Sequence, residues 1–598
     1  MKTSKELKSL SLAAGGLIAV SMAINANATP TPVWLPDAAT AGGLQHIIEV
    51  PILEPVEPTQ LIIPSRIERE ESEDDGPQIT IDNFQLLEQL PGGQFIQVQD
   101  KKVLGVISAI KAERENQFTL NALQLLADEI TNHYREQGAI LATVYLPAQD
   151  VTGNTVKFHL LAGVLESVEP DGETKFSDMQ LRRPFLSQLG KTVQKNAIES
   201  GLLTLLDFPG LDVSGVLEAG ESVGSSKMVL SVEDGQKVQG SVYVDNQGSR
   251  YTGEIGLGAS LSINNPFGLI DRLTLNAAIQ NKPTTEGDKS VSPSYSGGIS
   301  YTFRPFDPNY IFNIGYNSNK YEIGRELTEL GFAGQTQSLT ASVRKQLLRS
   351  RVSNSYVEAG FELKSSETTR DESVQSHDKL TNINVSIGYD HSDSLAGGGF
   401  SQGSMKLVKG LENTLGSRSN DDSEISRISL SGVAPVDFSK FQFNLARYQK
   451  ITKNLNVAVK LQGQYSRDAL VSIEQFGLGG ANSVRAYSGA EYMADSAYYI
   501  GVEFITRAPG FADKAAFNDR TWGEVLQLSL FVDYAKGHKN DALANEIEDI
   551  ELSGIGVGVR IMPAEGMVLD MSVAKPLGKI AAGNERDPQF FAKFKYDY

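Results

Sequence analysis

The chain has 598 residues with 54 Lys+Arg against 73 Asp+Glu, a formal charge of −19, and no cysteine. That acidic balance excludes a basic nucleic-acid-binding face, and the missing thiols exclude thiolate metal sites, catalytic cysteines and disulfide frameworks. Mean hydropathy is −0.21. No run after residue 28 reaches the roughly 20 apolar residues of a membrane helix, so a polytopic helical membrane protein is excluded too. A membrane β-barrel is not, because its strands alternate apolar with polar residues and escape hydropathy plots.

Lys2, Lys5 and Lys8 precede an apolar stretch from Leu10 to Ile24, and Ala26-Asn27-Ala28 supplies a small-x-small cleavage pattern. Residues 1–28 therefore carry the features of an export signal, and the mature chain is expected in the periplasm or outer membrane. Residues 29–78 hold eight prolines and the acidic run 68–75, so they are expected to form an extended linker. One piece, Ala38 to Glu49, has room for about three helical turns, but Gly42-Gly43 weakens it.

Residues 79–235 show mixed α/β patterning. Ile79, Ile81 and Phe84 suggest a strand, and Val103 to Lys111 a short helix. A longer helix is expected over Asn121–Gln137, where Leu123, Leu126, Ala127, Ile130 and Tyr134 share one face and Gly138 follows as a stop. Strands are expected at 140–146 and 155–161. The plan repeats with a helix near 193–206, a turn at Asp207-Phe208-Pro209-Gly210 and strands at 211–218 and 226–233. This predicts two β-α-α-β-β modules, at 79–168 and 169–235.

From residue 236 the pattern becomes strand alternation. Leu526, Leu528, Leu530, Val532 and Tyr534 alternate with Gln527, Ser529, Phe531, Asp533 and Ala535. Ile383, Val385, Ile387 and Tyr389 alternate with Asn384, Ser386, Gly388 and Asp390. A polar register that includes charges must meet water, whereas the apolar register needs cover that lipid supplies. About sixteen such segments follow one another to residue 598, and the last alternates Phe590, Ala592, Phe594, Tyr596 and Tyr598 with polar neighbours. The expected fold class is α+β modules followed by a transmembrane antiparallel β-barrel of about 16 strands. Residues 467–496 form a long connection between strands 11 and 12, and a barrel loop of this length is usually functional or disordered.

Several motifs resemble those of two-partner secretion transporters of the outer membrane, the haemolysin secretion/activation type with polypeptide-transport-associated (POTRA) modules. Phe118-Thr119-Leu120 through Tyr134–Gly138 to Tyr145-Leu146-Pro147-Ala148-Gln149 resembles the first module, and Asp207-Phe208-Pro209-Gly210 with Gly220 and Gly224 the second. Val244–Gly253, then Asn265-Pro266-Phe267-Gly268-Leu269 with Asp271-Arg272-Leu273, resembles the opening barrel strands. Val484-Arg485-Ala486-Tyr487 is similar to the VRGY loop motif and Phe531-Val532-Asp533-Tyr534-Ala535 to the F-x-D-x-G strand motif, with Ala486 and Ala535 standing where the family usually has Gly.

The resemblance implies a pore that captures an unfolded exoprotein in the periplasm and passes it across the outer membrane. Its partners would be outer-membrane lipid and a secreted adhesin, haemolysin or toxin-like protein, with no nucleic acid; it does not fix the oligomeric state. It implies that the loop carrying Val484, Arg485 and Tyr487 folds into the barrel and that Arg485 meets Asp533 beside Phe531, with Glu503 as a rival partner. In a watery lumen such a pair is worth about 0–1 kcal/mol. It also implies a substrate-capture module around Tyr145, Pro147 and Gln149; the family often has a plug helix, for which Ala38–Glu49 is the candidate here, although its glycines favour plain linker. No nucleotide loop, metal-spaced histidine set or nucleophile elbow appears, so neither a cofactor nor an enzyme is expected. A barrel-assembly factor of the same superfamily and a general porin are the alternatives.

Overall fold

The computed structural model describes residues 35–40, 76–90, 93–283, 290–578, 583 and 586–598. The export signal lies outside these residues, as does most of the linker. Of the expected 38–49 helix, the described part is a single 3-10 turn, Asp37–Ala39, that ends at Thr40; the rest lies outside the described residues.

The first module is a four-stranded sheet under two helices. Its strand order is Phe95–Val98, Asn83–Gln89, Thr155–Leu161, Thr143–Tyr145, with the central pair parallel. Asp100 starts the helix Lys101–Glu113 by accepting the Lys102 and Val103 amides. Thr119 caps Leu120–Glu136, and Gly138 follows that helix at φ +100°. Leu123, Leu126 and Ile130 lie on the face this helix buries against Val156 and Phe158 of the sheet, each worth roughly 1.5–3 kcal/mol of burial. Strand Phe95–Val98 adds an element to the expected plan. It is short and exposed, with Phe95 and Ile96 facing out, and so leaves little periodic signal.

The second module has the strand order Val164–Asp171, Ser225–Asp234, Leu211–Ala219 beneath the helix Lys195–Leu206. Its sheet starts at Val164, five residues before the boundary expected from the sequence. Only Ala162 and Gly163, the latter at φ +73°, separate the two modules there. Ile270, from a barrel turn, enters this module's core. Arg349 grips Asp207 with both prongs (2.8 and 2.9 Å), and Arg351 bonds Glu199 at 3.0 Å, so the module is seated on the barrel. The Asn265–Arg272 turn has a local cause: the Asp271 carboxylate accepts the Phe267 and Leu269 amides and the Tyr301 hydroxyl, and Gly268 takes φ +75°.

Sixteen antiparallel strands close into one barrel, with the first, Val238–Asp245, paired to the last, Gln589–Asp597. Each of the sixteen expected segments falls on one of these strands. Because the strand number is even, the C-terminus returns to the rim that carries the modules. Leu530, Val532 and Phe594 face outward, while Phe531, Asp533 and Phe591 are buried inside, so the apolar and polar registers run as the alternation requires. Strands six to eight (Phe332–Arg349, Ser353–Arg370, Ser373–Asp393) are 18, 18 and 21 residues long and rise above the others at the distal rim. The edge this leaves on strand eight is covered by loop 411–438, through His377 to Glu424 and Arg418 to Lys379 backbone bonds.

Candidate functional site: a loop seated in the barrel lumen

The distal connection of residues 467–495 does not extend into solvent. It makes a 3-10 turn at Ser472–Glu474, pairs Phe476–Leu478 with Tyr492–Ala494, and folds a compact tip between them. Gly479 and Gly480 adopt φ +100° and +101° there, and a side chain on Gly479 would strike the Ser488 carbonyl. The Gly480 amide bonds the Tyr487 carbonyl and the Tyr487 amide that of Val484, so the tip is closed on itself.

Arg485 leaves this tip toward the wall of strands twelve (Ser496–Arg507) and thirteen (Leu526–His538). Its Nε and Nη2 donate to the two oxygens of Asp533 at 2.8 and 2.9 Å, and its own amide adds a third bond at 3.1 Å. Nη1 donates to Glu503 at 2.8 Å. The two carboxylates are thus joint partners of one guanidinium rather than rivals. Tyr499 donates its hydroxyl to Asp533 at 3.0 Å, and the guanidinium carbon lies 3.3 Å from the Phe531 ring centroid. Burial works against the charged guanidinium, but Asp533 and Glu503 outweigh it and raise its pKa. Asp533 is fully buried, so the surface-pair figure expected for a watery lumen does not apply. Removing one partner of a buried pair costs about 3–5 kcal/mol, because the other charge is stranded.

Val484, Ala486 and Tyr487 are all buried and pack with Leu478, Phe531, Ala535 and Leu552. The methyl of Ala486 fits because Gly554 faces it: a Cβ at 554 would come within 2.6 Å of the Ala486 Cβ. Beneath the tip lies a polar chamber of about 300 Å³ whose lining includes Lys460, Arg485, Glu503, Arg560 and Lys593.

A second anchor holds the base of the loop on a separate stretch of wall, strands seven, eight and ten. Glu474 is buried between Lys440 (2.6 Å) and Lys364 (3.0 Å) and accepts the Asn382 amide at 2.9 Å. Burial pushes its carboxyl up, but the two ammonium groups outweigh that and hold it at about 2. At the distal end Asp495 receives Arg427 at 2.6 Å and the Asn540 amide at 2.7 Å, tying three loops together. Asp37 of the N-terminal segment binds Lys539 at 2.8 Å and accepts the Met493 amide at 2.9 Å. None of Glu474, Asp495, Arg427 or Lys440 stands in a motif. Alternation alone marks Lys364 and Lys440 as lumenal cations.

In the first module, Tyr145, Pro147 and Gln149 lie on or just after the short edge strand. The Tyr145 hydroxyl donates to Gln89 at 3.1 Å. The Gln149 amide exchanges bonds with the Lys157 backbone, at 2.7 and 2.8 Å, and so pairs the part of Thr155–Leu161 that the short strand leaves uncovered. The short strand's own outer edge is met by the helix, where the Thr131 hydroxyl accepts the Val144 amide at 2.8 Å.

Residues 224–561 match the profile of the haemolysin secretion/activation protein ShlB/FhaC/HecB family, and residues 104–163 match that of the ShlB-type POTRA domain. Among curated relatives, the heme/hemopexin transporter protein HuxB of Haemophilus influenzae is 26% identical over 472 residues, 77% of this chain and 78% of that protein. The outer membrane transporter CdiB of Dickeya dadantii is 25% identical over 374 residues, 62% of this chain and 63% of that protein. The solved structure of CdiB from Escherichia coli covers 89% of this chain and 93% of its own at TM-score 0.67 and 17% identity, a likeness of fold.

Proposed function

The chain belongs to the haemolysin secretion/activation ShlB/FhaC/HecB family, and from that premise we propose how its parts divide the work of secretion. It is a two-partner secretion transporter of the outer membrane, with its POTRA modules in the periplasm and a pore that passes an exoprotein outward. Among the relatives, HuxB is named a heme/hemopexin transporter protein and ShlB of Serratia marcescens a hemolysin transporter protein; a large secreted protein is the passenger we assign to this chain.

Capture belongs to the modules. The open edge is Phe95–Val98, where Phe95 and Ile96 are exposed and the strand pairs on one side only. An extended passenger segment adds there as a further strand, through main-chain bonds that tolerate many sequences. At the other edge Thr131 of the helix meets the Thr143–Tyr145 strand and Gln149 covers the strand beside it. With no nucleotide in the periplasm, folding of the passenger outside the cell supplies the pull.

The gate is the loop tip. The observation that carries this reading is that Val484, Arg485 and Tyr487 fill the lumen beside the wall while a few polar contacts, chiefly Arg485 on Asp533, hold them there. The N-terminal segment acts as a plug fastened by Asp37 to Lys539. Since the chain has no cysteine, an engineered disulfide tests the gate directly. Ala486→Cys with Gly554→Cys places the two Cβ atoms in reach of a disulfide after an adjustment of about 1 Å. The oxidised transporter is expected to stop exporting and the reduced one to resume. Export at the same rate in both states removes the gate and leaves the loop a fixed scaffold.

A further inference from the structure

The outer wall of the barrel carries a cleft that the secretion pathway does not use. Strand registers bring Val385, Leu407, Phe441 and Tyr465 into one row across strands eight to eleven. All lie on the outward register, and Val385, Leu407 and Tyr465 are 55%, 62% and 53% exposed. They line a cleft of about 740 Å³ near the distal rim. One pleat higher, about 7 Å along the strands, the same cleft is bordered by Lys409, Ser439 and Arg467.

The two cations at that border spend their hydrogen bonds on neutral acceptors. The Lys409 ammonium donates to the Asp437 backbone carbonyl and Arg467 to the Tyr465 hydroxyl at 3.3 Å. Both acceptors are neutral, and among the described residues neither cation is paired with a carboxylate. Asp468 also lines the cleft and spends one oxygen on the Ser439 amide at 2.8 Å. Lys409 stands on strand nine and Arg467 just past the end of strand eleven, and with one strand between them their backbones are about 10 Å apart.

We propose that this cleft is a binding site for a phosphorylated, multiply acylated glycolipid of the outer leaflet. Its acyl chains lie along the Val385–Tyr465 row, and its two phosphates meet Lys409 and Arg467. Three observations select this occupant. The cleft opens to lipid on the side away from the modules, which is the outer leaflet. Its apolar row stands below the cations, as acyl chains stand below a headgroup. Two spaced positive charges suit a headgroup with two phosphates better than a phospholipid with one. Cations near a membrane surface contribute enough that losing both weakens binding by at least about tenfold.

The test uses the full-length transporter, delipidated in detergent and titrated with diphosphoryl lipid A, monophosphoryl lipid A or phosphatidylglycerol while bound lipid is counted by native mass spectrometry. The wild type is expected to retain one diphosphoryl lipid A, to bind the monophosphoryl form more weakly, and to bind phosphatidylglycerol weakest. Lys409→Gln with Arg467→Gln keeps the side-chain donors, removes both charges, and should weaken diphosphoryl lipid A at least tenfold. Leu407→Asn, with the cations intact, should also weaken it. Each variant is first checked for a heat-modifiable barrel on gels. Equal affinity in wild type and the charge-removed variant overturns the proposal, and so does equal binding of phosphatidylglycerol or no lipid A retained by the wild type.

Discussion

The two ends of the lumenal loop are fixed by different chemistry. At the tip, a planar guanidinium meets Asp533 through two parallel bonds, adds Glu503 on its third nitrogen and stacks on Phe531. At the base, one carboxylate, Glu474, lies between two lysine ammonium groups. A fork fixes direction as well as distance, whereas a point charge fixes distance alone. The tip contact therefore sets where Val484 and Tyr487 point, and the base contact keeps the loop inside the barrel without dictating its orientation. A gate needs both: a hinge that stays and a latch that can be broken and remade in one geometry.

The sharpest way to break this comparison is to remove the latch. Arg485→Ala is expected to reduce export at least tenfold while the barrel still inserts, and Asp533→Ala to do the same. The double variant should be no worse than either single one, because both delete one contact. Passenger in the culture supernatant, measured against transporter in the outer membrane, reads all three. Near-normal export from either single variant would return Arg485 to the status of an ordinary loop residue.

A conservative exchange sharpens the contrast with a smaller effect. Arg485→Lys should lose most export, since an ammonium cannot reproduce the three-nitrogen grip on Asp533 and Glu503. Lys364→Arg at the base should lose little, because Glu474 there needs charge, not a fork, and Lys440 remains. If both exchanges cost the same, the two anchors do not differ in kind.

The latch was legible in the sequence and the hinge was not, for a physical reason. Val484-Arg485-Ala486-Tyr487 and Phe531–Ala535 are short strings whose order resembles a family's, and the strand alternation places Asp533 in the lumen. Glu474, by contrast, meets Lys364, Asn382 and Lys440 from three separate strands, reached only because the loop folds back into the barrel. No local spacing encodes such a contact. The barrel as a whole was readable because its period-two pattern repeats in every strand. The exposed four-residue strand Phe95–Val98 and the module boundary at Gly163 were missed because neither carries periodicity. The energy scale was also misread: lumenal position suggests water, but Tyr499, Phe531 and the loop itself exclude it from Asp533.

Removing the hinge charge should cost stability more than transport. Glu474→Gln keeps a side-chain oxygen for Asn382, and Lys364 retains Glu362 at 3.4 Å. Lys440, with 5% of its side chain exposed, is left without its counter-charge. The temperature at which the folded band disappears on gels should fall by several degrees, with export reduced two- to threefold at most. A loss of export matching that of Arg485→Ala, at unchanged heat resistance, would mean that the base is a second latch.

The smallest effect, and the most specific, is in pH. The two ammonium groups hold Glu474 at about 2, against an ordinary value of 4.5. A carboxyl whose folded value is depressed contributes stability that is fully present above its unfolded value and is lost as pH falls through the folded one. The hinge should therefore be intact at neutral pH, begin to weaken below about 4.5 and be lost toward 2. Glu474→Gln mimics the protonated carboxyl at every pH. The gap in heat resistance between wild type and this variant should be widest at neutral pH and close progressively in acid. Arg485 does not lose its proton in this range, so the latch gives no such closing gap on its cationic side. A gap that stays constant from pH 7 to pH 3 would show that Glu474 holds the loop by shape and hydrogen bonding rather than by charge.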